Sequence, residues 1–287
     1  MIASPEIDTS YEPFSREPEY LELNRSFVEA LGVTGPVHVV DLACGTGTIT
    51  AALLQAVEGQ GRVVGVDLSR RSLALARRDL ALDGDAPPPV LLVQSSADLL
   101  PVATGFADLA LCGNAIHCFS DLRPFLREVH RCLRPGGRFA FNSSFYAGTF
   151  VPGTERFYDE WMKEAARYVL ERDAEERRQG RPGVRRRRGT VGAAFSRPWL
   201  SPAEYAAALA ECGFRTVGQK QRTVMMSRRA FETVGAYEGM AAVLLSGYPV
   251  ELACEALTRS VGEALATVGL EAVPRHWLEM TAVKEPS

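Results

Sequence analysis

Between residues 37 and 144 the chain alternates two hydrophobic patterns. Short apolar runs recur at 39–42, 62–66, 90–94, 106–112 and 139–143. They have strand length and little polar alternation, the mark of strands covered on both faces. The stretches between them, Thr48 to about Val57, Arg70 to Leu82 and the residues before Arg131, read as helices. Strand–helix alternation of this kind predicts an α/β fold. Its centre is a doubly wound parallel sheet that takes ligands at the carboxyl ends of its strands.

Composition narrows the class. At 287 residues the chain can bury a full core, and length alone allows one or two domains. With 46% hydrophobic and 23% charged residues it reads as an ordinary globular protein. A net charge of −3 argues against wholesale nucleic-acid binding. Met1 to Glu6 shows no basic stretch running into an apolar one, so no secretory signal is visible. No apolar run approaches the roughly eighteen residues of a membrane span. Cys44, Cys112, Cys118, Cys132, Cys212 and Cys254 form no Cys-x-x-Cys pair and read as reduced packing residues of a cytoplasmic protein. The histidines, His38, His117, His130 and His276, are scattered, and no metal site is expected. A monomer and a homodimer are equally compatible with these features.

The chemistry concentrates after the first strand. Asp41-Leu42-Ala43-Cys44-Gly45-Thr46-Gly47-Thr48 passes from an acid into two glycines one residue apart, and then into a helix. Glycines allow a sharp turn, and the helix aims its N-terminal N–H groups at whatever lies on it. About twenty residues past Gly47 the second strand ends in Asp67, where a carboxylate can accept both hydroxyls of a ribose. These features predict a nucleoside-containing ligand. A dinucleotide turn wants a third small residue, and Thr50 stands there instead.

This segment resembles motif I of the class I S-adenosylmethionine (SAM)-dependent methyltransferases, in the form Asp-x-Ala-Cys-Gly-Thr-Gly. Further signals follow in the order that the resemblance requires. Asp67-Leu68-Ser69 closes strand two. Ser95-Ser96-Ala97-Asp98-Leu99-Leu100-Pro101 is similar to the family's Gly-Asp-Ala-Glu-x-Leu-Pro, with Ser96 where the family has aspartate. Arg131-Cys132-Leu133-Arg134-Pro135-Gly136-Gly137 precedes strand five as it does in the family. The likeness runs continuously over residues 37 to 144 and points to the small-molecule, UbiE-like (type 11) branch. It implies a Rossmann-like sheet of seven strands, the seventh antiparallel, and SAM as cofactor with S-adenosylhomocysteine as product. The implied cofactor residues are Asp41, Ala43, Cys44, Gly45, Gly47, Asp67, Leu68, Ser96, Ala97 and Asn114, with Tyr20 as a cover. Asp41 is expected to orient the turn and the methionine ammonium, Asp67 the ribose, and Leu68 the adenine.

Beyond residue 144 the chain carries more than that sheet. Ser201, Pro202 and Glu204 mark a helix start with a capping box, and this helix ends at Cys212-Gly213. Strand six is expected from Phe214 and strand seven over His276–Val283. Residues 145–198 and 228–274 are additional. They are too long for bare loops, and they show helical spacing over Thr154–Leu170, Ala230 to about Leu245 and Pro249 to about Val268. The expected organisation is an N-terminal helical cap (1–35, with a helix from Glu17 to about Leu31), the SAM-binding core (36–144) and a helical lid insertion (145–198). The core then continues (199–227), followed by a second lid insertion (228–274) and strand seven with the C-terminus (275–287). Aromatic residues of these parts, Tyr11, Phe14, Tyr20, Phe145, Tyr146, Phe150, Phe157, Tyr158, Trp161 and Tyr237, suit either an apolar substrate pocket or the lid's own core.

SAM arrives already activated, so its enzyme chiefly aligns methyl and nucleophile and removes water. His117, just past strand four, is the leading candidate for a general base, with Tyr146 and His276 behind it. Each also fits a packing role. The charge run from Arg172 to Arg188 reads as a solvated, mobile loop or as a dock for an acidic partner, either RNA or an acyl carrier protein. No Asn-Pro-Pro-Tyr-like sequence follows strand four, which argues against methylation of base nitrogens. The expected activity is O-methylation of a hydrophobic small molecule in secondary or lipid metabolism. Methylation of RNA, protein or a carrier-bound substrate, and SAM binding without methyl transfer, stand as alternatives.

Overall fold

A computed structural model describes residues 12–57, 61–82, 90–186 and 198–286. The first part of the chain runs α1 (Glu12–Ser15), α2 (Pro18–Ala30), β1 (His38–Leu42), α3 (Thr48–Ala56), β2 (Arg62–Asp67), α4 (Arg70–Asp79), β3 (Val90–Gln94) and β4 (Ala107–Gly113). It continues through α5 (Leu122–Cys132), β5 (Leu133–Ser143), α6 (Glu155–Arg178) and α7 (Pro202–Glu211) to β6 (Phe214–Ser227). Helices α8 (Arg228–Ala236), α9 (Glu238–Leu244) and α10 (Val250–Val268) precede the last strand, β7 (Ala272–Lys284). The chain divides into two compact units. One holds residues 18–149, 198–222 and 276–287; the other holds 1–17, 150–197 and 223–275.

The larger unit is built on a seven-stranded sheet of order β3-β2-β1-β4-β5-β7-β6. Strands β1 to β5 pair in parallel, and β7 runs antiparallel to β5 with Asn142 opposite Glu279. The order reverses between β1 and β4, the switch point at which such sheets open a crevice. Successive side chains serve opposite faces. Val40, Leu42, Ala110, Cys112, Phe139 and Phe141 pack with Phe125, Leu126 and Val129 of α5 and with Tyr205 and Leu209 of α7. Val39, Val63, Leu109, Leu111 and Ala140 pack with Phe27, Val28 and Leu31 of α2 and with Ile49 and Leu53 of α3.

Polar groups fix the element ends. The expected capping box is formed: the Ser201 side chain accepts from Glu204 N–H, and Glu204 accepts from Ser201 N–H. The Lys284 ammonium donates to the carbonyls of His130 (2.7 Å) and Leu133 (2.8 Å), satisfying acceptors that α5 leaves open at its end. Arg131 donates to the carbonyls of Leu100 and Val102 and pairs with Glu128, which pins the loop after β3 onto α5.

The helical unit centres on an aromatic cluster. Phe157 and Trp161 of α6 and Phe231 of α8 are nearly fully buried and in mutual ring contact, with centroids 4.7–6.0 Å apart. Trp161 Nε1 donates to the Leu257 carbonyl of α10 at 2.8 Å. The buried Glu17 accepts from the Thr233 hydroxyl (2.8 Å) and lies beside Arg229.

Several elements differ from the sequence expectation. The helix expected over Ala230–Leu245 is two helices, broken at Tyr237, whose backbone is extended. The N-terminal helix begins at Pro18, after the short α1. Helix α6 runs on to Arg178, so part of the arginine run is helical and not a loop. Asp173–Arg177 and Glu175–Arg178 pair along it, and Glu176 pairs with Arg181 beyond the turn at Gly180. Strand β5 starts at Leu133, opposite Ala107, and its register shifts before Arg138 faces Leu109. Tyr11, Arg187 and Arg188 lie outside the described residues.

Candidate cofactor site at the carboxyl edge of the sheet

The turn after β1 is folded by positive φ values at Ala43 (53°), Gly45 (55°) and Gly47 (85°). A Cβ at Gly47 would combine that strained backbone with a 3.2 Å approach to Ala76 and Leu80, so glycine is required there. The close helix–strand packing that a dinucleotide turn obtains from its third glycine comes here from β4. A Cβ on Gly113 would sit 2.1 Å from Ile49 of α3.

Asp67, at the end of β2, ties the turn down. Its Oδ2 accepts from Gly45 N–H and its Oδ1 from Ser69 N–H, both at 2.8 Å. A carboxylate offers about four lone-pair positions, so these two bonds leave acceptor capacity for further donors. Burial raises the Asp67 pKa, and the N–H groups of Ser69, Gly45 and Leu68 oppose that rise. Next to it Leu68 is 71% exposed, a bare apolar side chain beside that carboxylate. Leu99, beyond the half-buried Ser96 and the buried Ala97, is exposed to a similar degree.

Asp41 is placed differently from Asp67. It is 1% exposed, and its Oδ2 accepts from the Thr50 hydroxyl at 2.6 Å. Thr50 N–H also supports this carboxylate, in the first turn of a helix whose N-cap, Gly47, has no side chain to offer. Burial first, then the neighbouring Asp67 charge, pushes the Asp41 pKa up to about 7. Tyr20 is buried as well; desolvation raises its hydroxyl to about 12, and Asp41 adds to the rise.

A chain of amides backs the strand ends. Asn114, at φ 46°, donates its N–H to Asn142 Oδ1 (2.9 Å) and accepts at its own Oδ1 from the N–H and hydroxyl of Ser144. Asn142 Nδ2 donates to Asn24 Oδ1 (3.0 Å), and Asn24 Nδ2 donates to the Tyr20 carbonyl. Sequence reasoning placed Asn114 and Tyr20 here and missed Asn24, Asn142 and Ser144. The available signal was one polar residue closing the apolar run Phe139-Ala140-Phe141-Asn142.

His117 lies in a single 3₁₀ turn, Ile116–Cys118, with its ring 4.3 Å from that of Phe145; Phe145 in turn meets Trp199 edge-on at 5.5 Å. Tyr146 is 1% exposed, belongs to the core on the α5 and α7 face, and donates to Gln221 Oε1 at 2.8 Å. His276 is held as backbone: its N–H donates to the Thr149 carbonyl and its carbonyl accepts from the Thr149 hydroxyl. Among the described residues, no three His, Cys, Asp or Glu side chains converge as metal ligands, and no helix is long and apolar enough to cross a membrane.

All the expected cofactor residues therefore lie in one unit, on or just past the carboxyl ends of β1 to β4, or on α2 beside them. Residues 40–141 match the model of the family described as "Methyltransferase domain". This part of the chain is a class I SAM-dependent methyltransferase domain, and its cofactor is SAM. The demethylmenaquinone methyltransferase of Lactococcus lactis is 32% identical over 111 residues, which are 39% of this chain and 43% of that protein. The match thus spans less than half of that relative's length. Among solved structures, phosphoethanolamine N-methyltransferase 2 of Haemonchus contortus in complex with SAM aligns with a TM-score of 0.56 at 16% identity, over 97% of this chain and 58% of its own. The [4+2]-cyclase SpnF aligns with a TM-score of 0.53 at 17% identity, over 93% of this chain and 82% of its own. At these identities the structural likeness is one of fold.

Proposed function

We propose that this protein transfers the methyl group of SAM to a hydrophobic, hydroxylated aromatic acceptor. The observation that carries the cofactor half is Asp67, a strand-end carboxylate fixed by the N–H groups of Gly45 and Ser69 and keeping acceptor capacity for a ribose. Support for the acceptor half comes from the aromatic line His117–Phe145–Trp199 in the same unit, and from relatives named for methylating naphthoquinone-type rings. In the transfer, a bond forms between the acceptor and the methyl carbon while the carbon–sulfur bond breaks. The electron pair stays on sulfur as a neutral thioether. His117 takes the hydroxyl proton, which makes the acceptor oxygen, and the ring carbons conjugated with it, nucleophilic. Oxygen is the expected site of methylation, and a ring carbon is the outcome the relatives' names favour. The helical unit would select the acceptor. Its two insertions leave the sheet from the carboxyl end of β5 and between β6 and β7.

A panel of lipophilic phenols, hydroquinones and aromatic carboxylic acids, incubated with the protein and methyl-labelled SAM, tests the reading. Release of S-adenosylhomocysteine together with a labelled product supports it, and the label's position decides between oxygen and carbon. A second reading is favoured by the likeness to a [4+2]-cyclase: SAM held as a structural ligand while another reaction proceeds. Acceptor consumed while bound SAM stays intact would select that reading. Methylation of RNA, protein or a carrier-bound substrate draws less support. The described arginines Arg177, Arg178 and Arg181 already face Asp173, Glu175 and Glu176.

A further inference from the structure

Thr50 occupies the position at which a dinucleotide turn would carry a third glycine, and the structure gives it work that glycine could not do. From the first turn of α3 it addresses Asp41 twice, with its hydroxyl at 2.6 Å and with its backbone N–H. Asp41 is among the most buried charged groups of the protein, and the charge that acts on it is the like charge of Asp67. The groups around it are Asp67 from β2, Tyr20 from α2, Cys44 from the turn and Cys112 from β4. All of these are neutral or negative. A hydrogen bond to the ionised form is what favours a buried carboxylate's charge, and Thr50 supplies such bonds.

We propose that Thr50 is a positioning residue for the cofactor, holding Asp41 ionised so that the carboxylate pair Asp41–Asp67 attracts the cation on the turn. This rests on the reading that the turn binds SAM. With its sulfonium, ammonium and carboxylate, SAM carries a net positive charge, which complements this carboxylate pair. Two consequences follow. SAM affinity rises with pH through the range in which Asp41 loses its proton, and SAM binding releases that proton. Burial favours the protonated acid and Thr50 favours the carboxylate. Removing the hydroxyl therefore moves the titration to higher pH.

The test measures the SAM dissociation constant of the full chain by calorimetry, at steps between about pH 6 and pH 9, for wild type, Thr50→Val and Thr50→Ser. Thr50→Val keeps the shape and loses the hydroxyl. At neutral pH it should weaken SAM by about tenfold, the scale of one hydrogen bond to a charged group. Its midpoint should rise by about one pH unit, and most of its affinity should return at the alkaline end. Thr50→Ser, which keeps a hydroxyl, should follow wild type. A Thr50→Val protein that titrates as wild type does, or one equally weakened at every pH with an unmoved midpoint, overturns the proposal, because only packing would then be at stake. If Thr50→Val does not fold, proton release by wild type, read from heats in buffers of different ionisation enthalpy, decides instead, and no release overturns it. Absence of any SAM heat from folded wild type overturns the cofactor reading itself, a result distinct from the others.

Discussion

The two units of this protein are ordered by different physics. In the sheet unit the decisive groups are few and polar, and each has a partner at a fixed distance: Asp67 with two N–H groups, Asp41 with Thr50, Asn142 between Asn114 and Asn24. In the helical unit the decisive groups are large and apolar, Phe157, Trp161 and Phe231, and they are held by contact area and ring geometry. Directional bonds tolerate little substitution, whereas an aromatic cluster can be refilled with other shapes of similar volume. The contrast fits the proposed division of labour, in which the sheet unit holds a constant cofactor and the helical unit is free to vary.

The largest expected effect lies in the helical unit. Trp161→Ala removes a buried indole and its bond to Leu257, and should cost about 3–5 kcal/mol of stability, read by calorimetric unfolding. If the units are as separate in energy as in chemistry, SAM affinity at a temperature where the protein stays folded is unchanged; a large loss of affinity would break the contrast. Asp67→Ala should weaken SAM by about 1.5–3 kcal/mol, with a smaller loss of stability than Trp161→Ala as the N–H groups of Gly45 and Ser69 lose their acceptor. An unaltered dissociation constant would place the ribose elsewhere. His117→Ala should lower turnover by about tenfold or more while leaving SAM affinity alone, measured in steady state against the best acceptor. Turnover like that of wild type across pH would remove His117 from the mechanism.

The last effect is one of pH. Burial raises the pKa of Asp41, of Asp67 and, against the opposing Arg222 charge, of Glu279. A carboxyl whose pKa is raised on folding holds its proton better in the folded chain than in the unfolded one. Its contribution is complete below the unfolded value and fades as pH rises through the folded value. Unfolding temperatures of the ligand-free protein should therefore fall from about pH 4 toward the Asp41 value of about 7. Asp41→Asn should flatten that slope, and an unchanged slope would shift the weight to the other two acids.

Much of the sheet unit was readable before its structure. Strand runs, glycine spacing and the Ser201 cap are local signals, and the motifs after β1, β2 and β3 come from short stretches. What escaped was set by long-range pairing. Strand β5 starts early because Leu133 finds Ala107, and Asn142 matters because Asn24 lies 118 positions away in sequence. Thr50 read as a failed glycine since its partner, Asp41, is on another element. In the helical unit, periodicity marked the helices but not their ends. Acid–base pairs at helical spacing carried α6 to Arg178, and the break at Tyr237 falls between Gly235 and Gly239, two glycines that the apolar periodicity ran across.

The amide chain from α2 to the tip of β4 has one more implication. Asparagine neither gains nor loses a proton under ordinary conditions, so Asn24, Asn142 and Asn114 present the same donors and acceptors in acid and in alkali. These three amides thus give the strand ends a chemically constant backing, while the acids Asp41 and Asp67, on β1 and β2, respond to the pH of their surroundings. On the proposed SAM reading, pH would change how firmly the two acids hold the cofactor while the amide backing stays the same.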